Sequence, residues 1–332
     1  MRILSVQMVL LNNNGVKMAN RALVYRRFGQ PEEVLHLEAG EKGELAADAI
    51  RVTMRYAPVN ASDLIPITGA YQHRITLPQV AGYEGMGVVT DAPAAYRHLM
   101  GRRVLALRGE GTLQSRVDIP AALAIPVPDN IDDKLAARGY INPFAAKLML
   151  EHFSPAGKDI LITAAGSECA MLLGQWALRA GARSVTGIHR SPVHALKLEQ
   201  YGITPVQENE SEAIGYYAAR AGVVYDATGG RLAEKLLALM PLTALFISYG
   251  LLSGEVFRAK HPLPKIHWFH VRHYLAAAGI HGWQQIFKDL WPLLAESYTH
   301  DARIFTLDEW KAAIEAYRTA GRTAKPLVKL DP

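Results

Sequence analysis

The stretch Ile160-Leu161-Ile162-Thr163-Ala164-Ala165-Gly166-Ser167-Glu168-Cys169-Ala170-Met171-Leu172-Leu173 decides how the chain is read. Ile160 to Thr163 is a short apolar run of strand length. Met171 to Ala180 predicts a helix, with Gly181 as its C-terminal stop. Between them stand small residues. A small-residue turn from strand to helix lets backbone N–H groups approach an anion, and the helix N-terminus adds partial positive charge. Ala165, Gly166, Ser167, Glu168 and Cys169 are therefore candidate ligands of a pyrophosphate. The turn holds one glycine only, so a plain strand-to-helix turn with no ligand stands as the alternative. Glu168 sets a condition on the reading. A carboxylate about 4 Å from a phosphate costs several kcal/mol at an effective dielectric near 20. Its side chain must point away or be paired.

Downstream, strand and helix alternate. Ser184 to Ile188 predicts a strand, His194 to Tyr201 a helix ended by Gly202, Val223 to Asp226 a strand, then a helix from Leu232 and a strand over Ala244 to Tyr249. Short connections between alternating elements predict an α/β fold with a doubly wound parallel sheet. Leu236 to Gly254 carries no charge and has the length of a membrane span. Pro241 would break a helix at its middle, so we read a helix end followed by a buried strand. After the second strand come His189-Arg190-Ser191. An Asp or Glu there would hold both ribose hydroxyls, whereas Arg190 suits a 2′-phosphate, which favours NADPH over NADH. The alternative for Arg190 is a solvated loop charge.

Upstream, Arg21–Tyr25, Ala49–Arg55, Gly85–Thr90 and Arg103–Leu107 are short strand-like runs between Gly, Pro and Asn turns, which predicts a β-barrel-like unit. The tail predicts helices over Gln284–Ser297 and Leu307–Thr319 and a final strand over Pro326–Leu330. Residues 1–17 read either as a disordered extension or as sequence preceding a true start at Met18, without a signal-peptide cleavage pattern. At 332 residues, half of them hydrophobic and 20% charged, the chain can bury two cores. Its single cysteine, Cys169, excludes an internal disulfide and any zinc site built from cysteines, and a reducing, cytoplasmic setting fits. The net charge of +5 is dispersed, with no basic run, which argues against nucleic acid as partner and suits a phosphate-bearing cofactor or substrate.

Several further stretches, in order, carry a family resemblance from about Arg21 to Leu330. They are Val59-Asn60-Ala61-Ser62-Asp63, Gly69-Ala70-Tyr71, Pro78 to Gly87, Gly139 to Ala145 with Asn142-Pro143, Asp226-Ala227-Thr228-Gly229-Gly230, Tyr249-Gly250 and Lys325 to Val328. Together they resemble the medium-chain dehydrogenase/reductase superfamily, in its zinc-free quinone oxidoreductase and 2-enoyl thioester reductase branch. The resemblance implies a GroES-like, β-barrel-type catalytic domain over 18–134 and 276–332, a Rossmann domain over 135–275, and a cleft between them. It implies NADPH as cofactor, held by the loop residues above and Arg190, with Asn142, Thr228, Tyr249, Gly250 and Lys325, and it implies a homodimer. Zinc-dependent relatives carry Cys and His where Asn60 and Tyr83 stand, so no metal is expected. Glu168 and Ala170 stand where relatives usually have glycine.

Without zinc, reduction of an α,β-unsaturated carbonyl needs another proton or hydrogen-bond donor facing the substrate. The resemblance gives that place to Tyr71, with a packing tyrosine as the alternative. Asn60 would orient substrate or nicotinamide, or cap an Asx turn. His267, His270 and His273 lack an acidic partner and read as packing or solvated histidines. His73 and Arg74 read as exposed loop residues, although they could meet a carrier phosphate. Cys169 reads as a small buried hydrophobe. Three functions follow: NADPH-dependent reduction of an activated C=C bond in an acyl thioester or enone, quinone reduction on the same fold, or NADPH binding without catalysis.

Overall fold

The computed structural model describes residues 19–70, 72–107, 111–258 and 262–331. The expected extension over 1–17 and the candidate donor Tyr71 both lie outside the described residues. Six strands form one parallel sheet. Across it they run Thr204–Gln207, Ser184–His189, Asp159–Ile162, Val223–Asp226, Leu245–Ser248 and Lys265–Trp268. Numbered along the chain, this order is 3-2-1-4-5-6, the doubly wound dinucleotide arrangement. The strands are apolar throughout because helices cover both faces: all four residues of Val223–Asp226 are buried. The uncharged run from Leu236 resolves into the end of the Gly230–Leu239 helix, a turn at Pro241, and the Leu245–Ser248 strand. No helix among the described residues is long and apolar enough to cross a membrane.

A second unit is built on the strand Ala49–Pro58. Ile50, Val52 and Met54 point into its core, while Arg51, Thr53 and Arg55 are partly exposed, as alternation on a half-buried strand requires. It pairs antiparallel with Met86–Asp91, Arg116–Pro120 and the C-terminal strand Ala324–Lys329. The chain end therefore returns to this unit. Strand Asp301–Thr306 joins it in parallel, with Ile304 opposite Leu327.

Some elements lie beyond the sequence reading. Leu35–Gly40 and Asp301–Thr306 are strands whose apolar alternation is short or absent, and each buries one residue. The helix expected over Gln284–Ser297 is longer. It runs Val271–Ala295 and is broken at Gly279, whose φ of 60° and ψ of −176° leave the helical region. That glycine and Pro292 disguise the periodicity. The helix joins the two units: Trp283, Phe287, Tyr140 and Phe144 pack tilted or edge to face with ring centroids 5.1 to 6.2 Å apart. The Trp283 indole N–H donates to the Leu123 carbonyl at 3.0 Å.

Candidate active site

In a doubly wound sheet the ligand crevice lies at the carboxyl ends of the strands where the order reverses. Here that point falls between Asp159–Ile162 and Val223–Asp226. The two strand ends are tied together by the Thr163 hydroxyl, which donates to Asp226 Oδ1 at 2.7 Å and accepts from the Ala227 N–H at 2.9 Å. Asp226 in turn accepts from the N–H groups of Thr228 (3.1 Å) and Gly229 (2.9 Å). Ser248 ends the next strand, and Gly250 follows closely: a Cβ there would come 2.7 Å from the Ala227 carbonyl. Thr228, Tyr249 and Gly250 thus share one side of the crevice.

The turn after Ile162 is tightly held. Ala164 takes φ +51°, the one positive-φ residue other than glycine among those described. Ala165 N–H donates to the Ile188 carbonyl at 2.9 Å, and Ser167 caps the Glu168–Arg179 helix by accepting from Ala170 N–H at 3.3 Å. The backbone N–H groups of Gly166, Glu168 and Cys169 have no acceptor among the described residues. Free donors at a helix N-terminus suit a phosphate. Above Gly166 lies the His194 ring, so close that a Cβ on residue 166 would stand 2.3 Å from it.

Glu168 meets the condition set by the sequence. Its carboxylate turns into the protein, where Arg138 Nη1 donates to Oε1 at 2.9 Å and Lys325 Nζ lies 3.7 Å from Oε2. The Glu168 and Arg138 side chains are 4% and 6% exposed. Arg138 also donates to the His300 carbonyl (2.6 Å) and the Thr299 hydroxyl (3.2 Å), so it joins the cofactor-type turn to the returning tail. The strand Ala324–Lys329 delivers Lys325: Val59 N–H donates to the Pro326 carbonyl, which sets Lys325 against Asn60. Lys325 Nζ donates to Asn60 Oδ1. That oxygen also takes Asn142 Nδ2 at 3.3 Å, and Asn60 Nδ2 donates to Glu84 Oε1 at 2.6 Å. The Asn60 side chain is therefore tied into the crevice, while its backbone N–H donates to Asp63 Oδ2 at 2.8 Å in a capping box with the helix it precedes.

Burial governs the charges. It pushes Glu84 up to about 7, against the N–H bond from Ile141 and the Lys325 charge. It pushes Asp63 up to about 6, although Asp63 accepts N–H bonds from Asn60 and Tyr83. Burial lowers Lys325, with Glu168 and Glu84 opposing. Burial raises the Cys169 thiol to about 12; its Sγ rests 3.6 Å from the Asn142 carbonyl and beside the Tyr249 hydroxyl, which makes it inert packing.

Asn60, Asn142, Glu168, Cys169, Tyr249 and Lys325 thus meet at one point, from elements far apart in sequence. Arg190 stands apart, exposed just beyond the Ser184–His189 strand, without a hydrogen bond or ion pair among the described residues. Sequence reasoning missed Arg138, Glu84, His194 and Arg322. Glu84 lies inside the quoted Pro78–Gly87 stretch and Arg138 directly before Gly139, so position was the available signal. His194 and Arg322 had none: the His194 ring lies over Gly166, and Arg322, which donates to the Tyr317 carbonyl at 2.7 Å, follows Gly321, where a Cβ would come 2.6 Å from the Ser191 hydroxyl.

A doubly wound sheet with a free-donor turn at its switch point, closed by residues of the second unit, is an oxidoreductase scaffold of the dinucleotide-fold class. No family model matches the chain. It is 30% identical to a Bacillus thuringiensis protein assigned as an NADPH:quinone reductase, with a TM-score of 0.88 over 94% of this chain and 99% of that one. It is 27% identical over 259 residues, 72% of each chain, to the mitochondrial enoyl-[acyl-carrier-protein] reductase of Xenopus tropicalis. The Escherichia coli quinone oxidoreductase complexed with NADPH shares the fold, with a TM-score of 0.83 at 20% identity over 93% of this chain and 99% of that one. The chain belongs to the medium-chain dehydrogenase/reductase superfamily.

Proposed function

We propose that the protein uses NADPH to reduce an activated C=C bond in a 2-enoyl thioester or enone. The observation that carries this reading is the Glu168 carboxylate. It is neutralised inside the protein, which leaves the free N–H groups at the head of its helix open to a pyrophosphate. NADPH supplies the hydride when bound. We assign the pyrophosphate to the turn Ala165–Cys169, the 2′-phosphate to Arg190, and the nicotinamide end to Thr228, Tyr249 and Gly250, with Asn142 and Lys325 on the facing side. Domain limits of 18–134 with 276–332, and 135–275, go with this assignment.

Hydride addition at Cβ leaves negative charge on the thioester oxygen and a proton to be delivered at Cα. We assign the proton to Tyr71, at its place after Gly69-Ala70 in the barrel domain. Asn60 orients the reacting groups, and the buried Lys325 ammonium behind its Oδ1 fixes the amide and lends positive charge where the oxyanion develops. The mitochondrial enoyl reductases among the relatives support the enoyl reading, and the Bacillus thuringiensis protein supports quinone reduction as the second. We further infer a homodimer formed through the edge strand Lys265–Trp268, whose Trp268 is exposed, and a cytoplasmic setting.

The experiment is steady-state NADPH consumption with a short 2-enoyl-CoA and, separately, a quinone, for wild type and Tyr71→Phe. Enoyl turnover that falls at least ~100-fold in the variant supports the reading, since general acid catalysis contributes about that much or more. Quinone turnover indifferent to the variant, without enoyl turnover, moves the protein to the second reading.

A further inference from the structure

A group of basic side chains stands outside the network described above. His73 and Arg74 lie exposed in the barrel domain's 72–74 turn, where Arg74 Nε donates to His73 Nε2 at 2.9 Å. His270, Arg272 and His273 lie at the start of the Val271–Ala295 helix, with the His270 and His273 rings 5.6 Å apart. Both groups face the same space. Burial, and then the charges of Arg272, His273 and Arg74, hold His270 below the ordinary histidine range.

Two features make this cluster more than a solvated face. The first turn of that helix carries no acidic residue. His270 caps the helix, its Nδ1 accepting the Arg272 N–H at 3.2 Å, whereas Arg272 and His273 in the first turn oppose the helix dipole, which favours anions at an N-terminus. A local arrangement that works against stability points to a ligand. The second feature is place. Phe269 N–H donates to the Ser248 carbonyl at 2.8 Å, so the cluster begins at the carboxyl edge of the sheet, next to Tyr249 and Gly250. The 72–74 turn directly follows the position assigned to the proton donor. The basic cluster thus borders the crevice at the Tyr249–Gly250 edge of the sheet.

We propose that His73, Arg74, His270, Arg272 and His273 bind the phosphate-bearing end of coenzyme A, holding a CoA thioester while its acyl chain enters the crevice. This rests on the enoyl-thioester reading above. A nucleotide phosphate group fits a cluster contributed by one short turn and one helical turn, and its charge complements the cluster's. The site makes coenzyme A itself a determinant of KM, separate from the acyl group.

The test compares crotonyl-CoA with crotonyl-N-acetylcysteamine, which presents the same thioester without phosphate, at saturating NADPH. Wild type, Arg272→Ala, Arg74→Ala, the double variant and Arg272→Lys are measured at two ionic strengths. For exposed charges we expect a rise in crotonyl-CoA KM of roughly threefold per single variant and roughly tenfold in the double. Arg272→Lys stays near wild type, and added salt raises the wild-type CoA KM. The N-acetylcysteamine KM and kcat stay unchanged, which also reports that the variants fold. Equal KM for the two thioesters in wild type, or variants that shift both alike, would overturn the CoA site while leaving enoyl reduction intact. A preference for crotonyl-acyl carrier protein, with CoA kinetics indifferent to the variants, overturns it in favour of a protein carrier. Consumption of neither thioester removes the enoyl reading, and the site with it.

Discussion

Arg138→Ala strands the Glu168 carboxylate, which is the group that decides whether the turn can accept a phosphate. Both side chains are almost fully buried, and breaking a buried pair by removing one partner costs about 3–5 kcal/mol. Lys325 remains 3.7 Å and Asn142 Nδ2 3.4 Å from Glu168, so the cost falls at the low end, about 3 kcal/mol. For a domain of this size that lowers Tm by roughly 6–12 °C. A second effect is on binding. Losing the Arg138 positive charge about 8 Å from a phosphate charge costs roughly 2 kcal/mol at an effective dielectric near 20. That is about 30-fold in NADPH affinity. Titration of NADPH by fluorescence, with thermal melts, measures both. The double variant Arg138→Met/Glu168→Gln removes the charge along with its partner and should recover most of the NADPH affinity. An Arg138→Ala protein that binds NADPH within about twofold of wild type, or a double variant without recovery, would refute the reasoning.

Other outcomes follow from the same geometry. Thr163→Val should cost about 1–3 kcal/mol, because it leaves Asp226 Oδ1 and the Ala227 N–H short of a buried partner; chemical denaturation reads it. Gly166→Ala should weaken NADPH binding and lower Tm, since the new Cβ collides with the His194 ring, and His194→Ala in the same chain should restore part of both. Arg190→Ala should raise the NADPH KM with little change for NADH, and an unchanged NADPH KM contradicts the assignment of the 2′-phosphate. Glu84 governs a pH dependence. An acid whose folded pKa exceeds its unfolded value binds more protons when folded, so its contribution is present at acid pH and is lost as pH rises. For Glu84 the window runs from 4.5 to about 7, and the loss is roughly 3 kcal/mol. Denaturation of wild type across that window should show the decline, and Glu84→Gln should flatten it.

Much of this fold was legible because its signals are local. Apolar runs of strand length, glycine stops such as Gly181 and Gly202, and Pro241 inside the uncharged run each act within a few residues, and the structure follows them. Elements that draw their stability from distant partners were not legible. Asp301–Thr306 is a strand because Ala324–Lys329 lies beside it, and it buries little of its own. The site divides in the same way. The turn around Gly166 could be read from its residues, and the Glu168 problem could be posed from charge alone. Its solution could not be read. Arg138 comes from the hinge before Ile141, and the groups it joins, Thr299 and His300, lie about half the chain away in sequence. His194 meets Gly166 only through tertiary packing.

The most direct measurement is the fate of the hydride. NADPH with both C4 hydrogens replaced by deuterium is consumed with crotonyl-CoA in ordinary water, and the acyl product is examined by mass spectrometry and NMR. Hydride transfer to Cβ predicts saturated butyryl-CoA with one deuterium, at Cβ, and an unlabelled proton at Cα. NADPH consumption without deuterated acyl product, or with label transferred only to an added quinone, would contradict it.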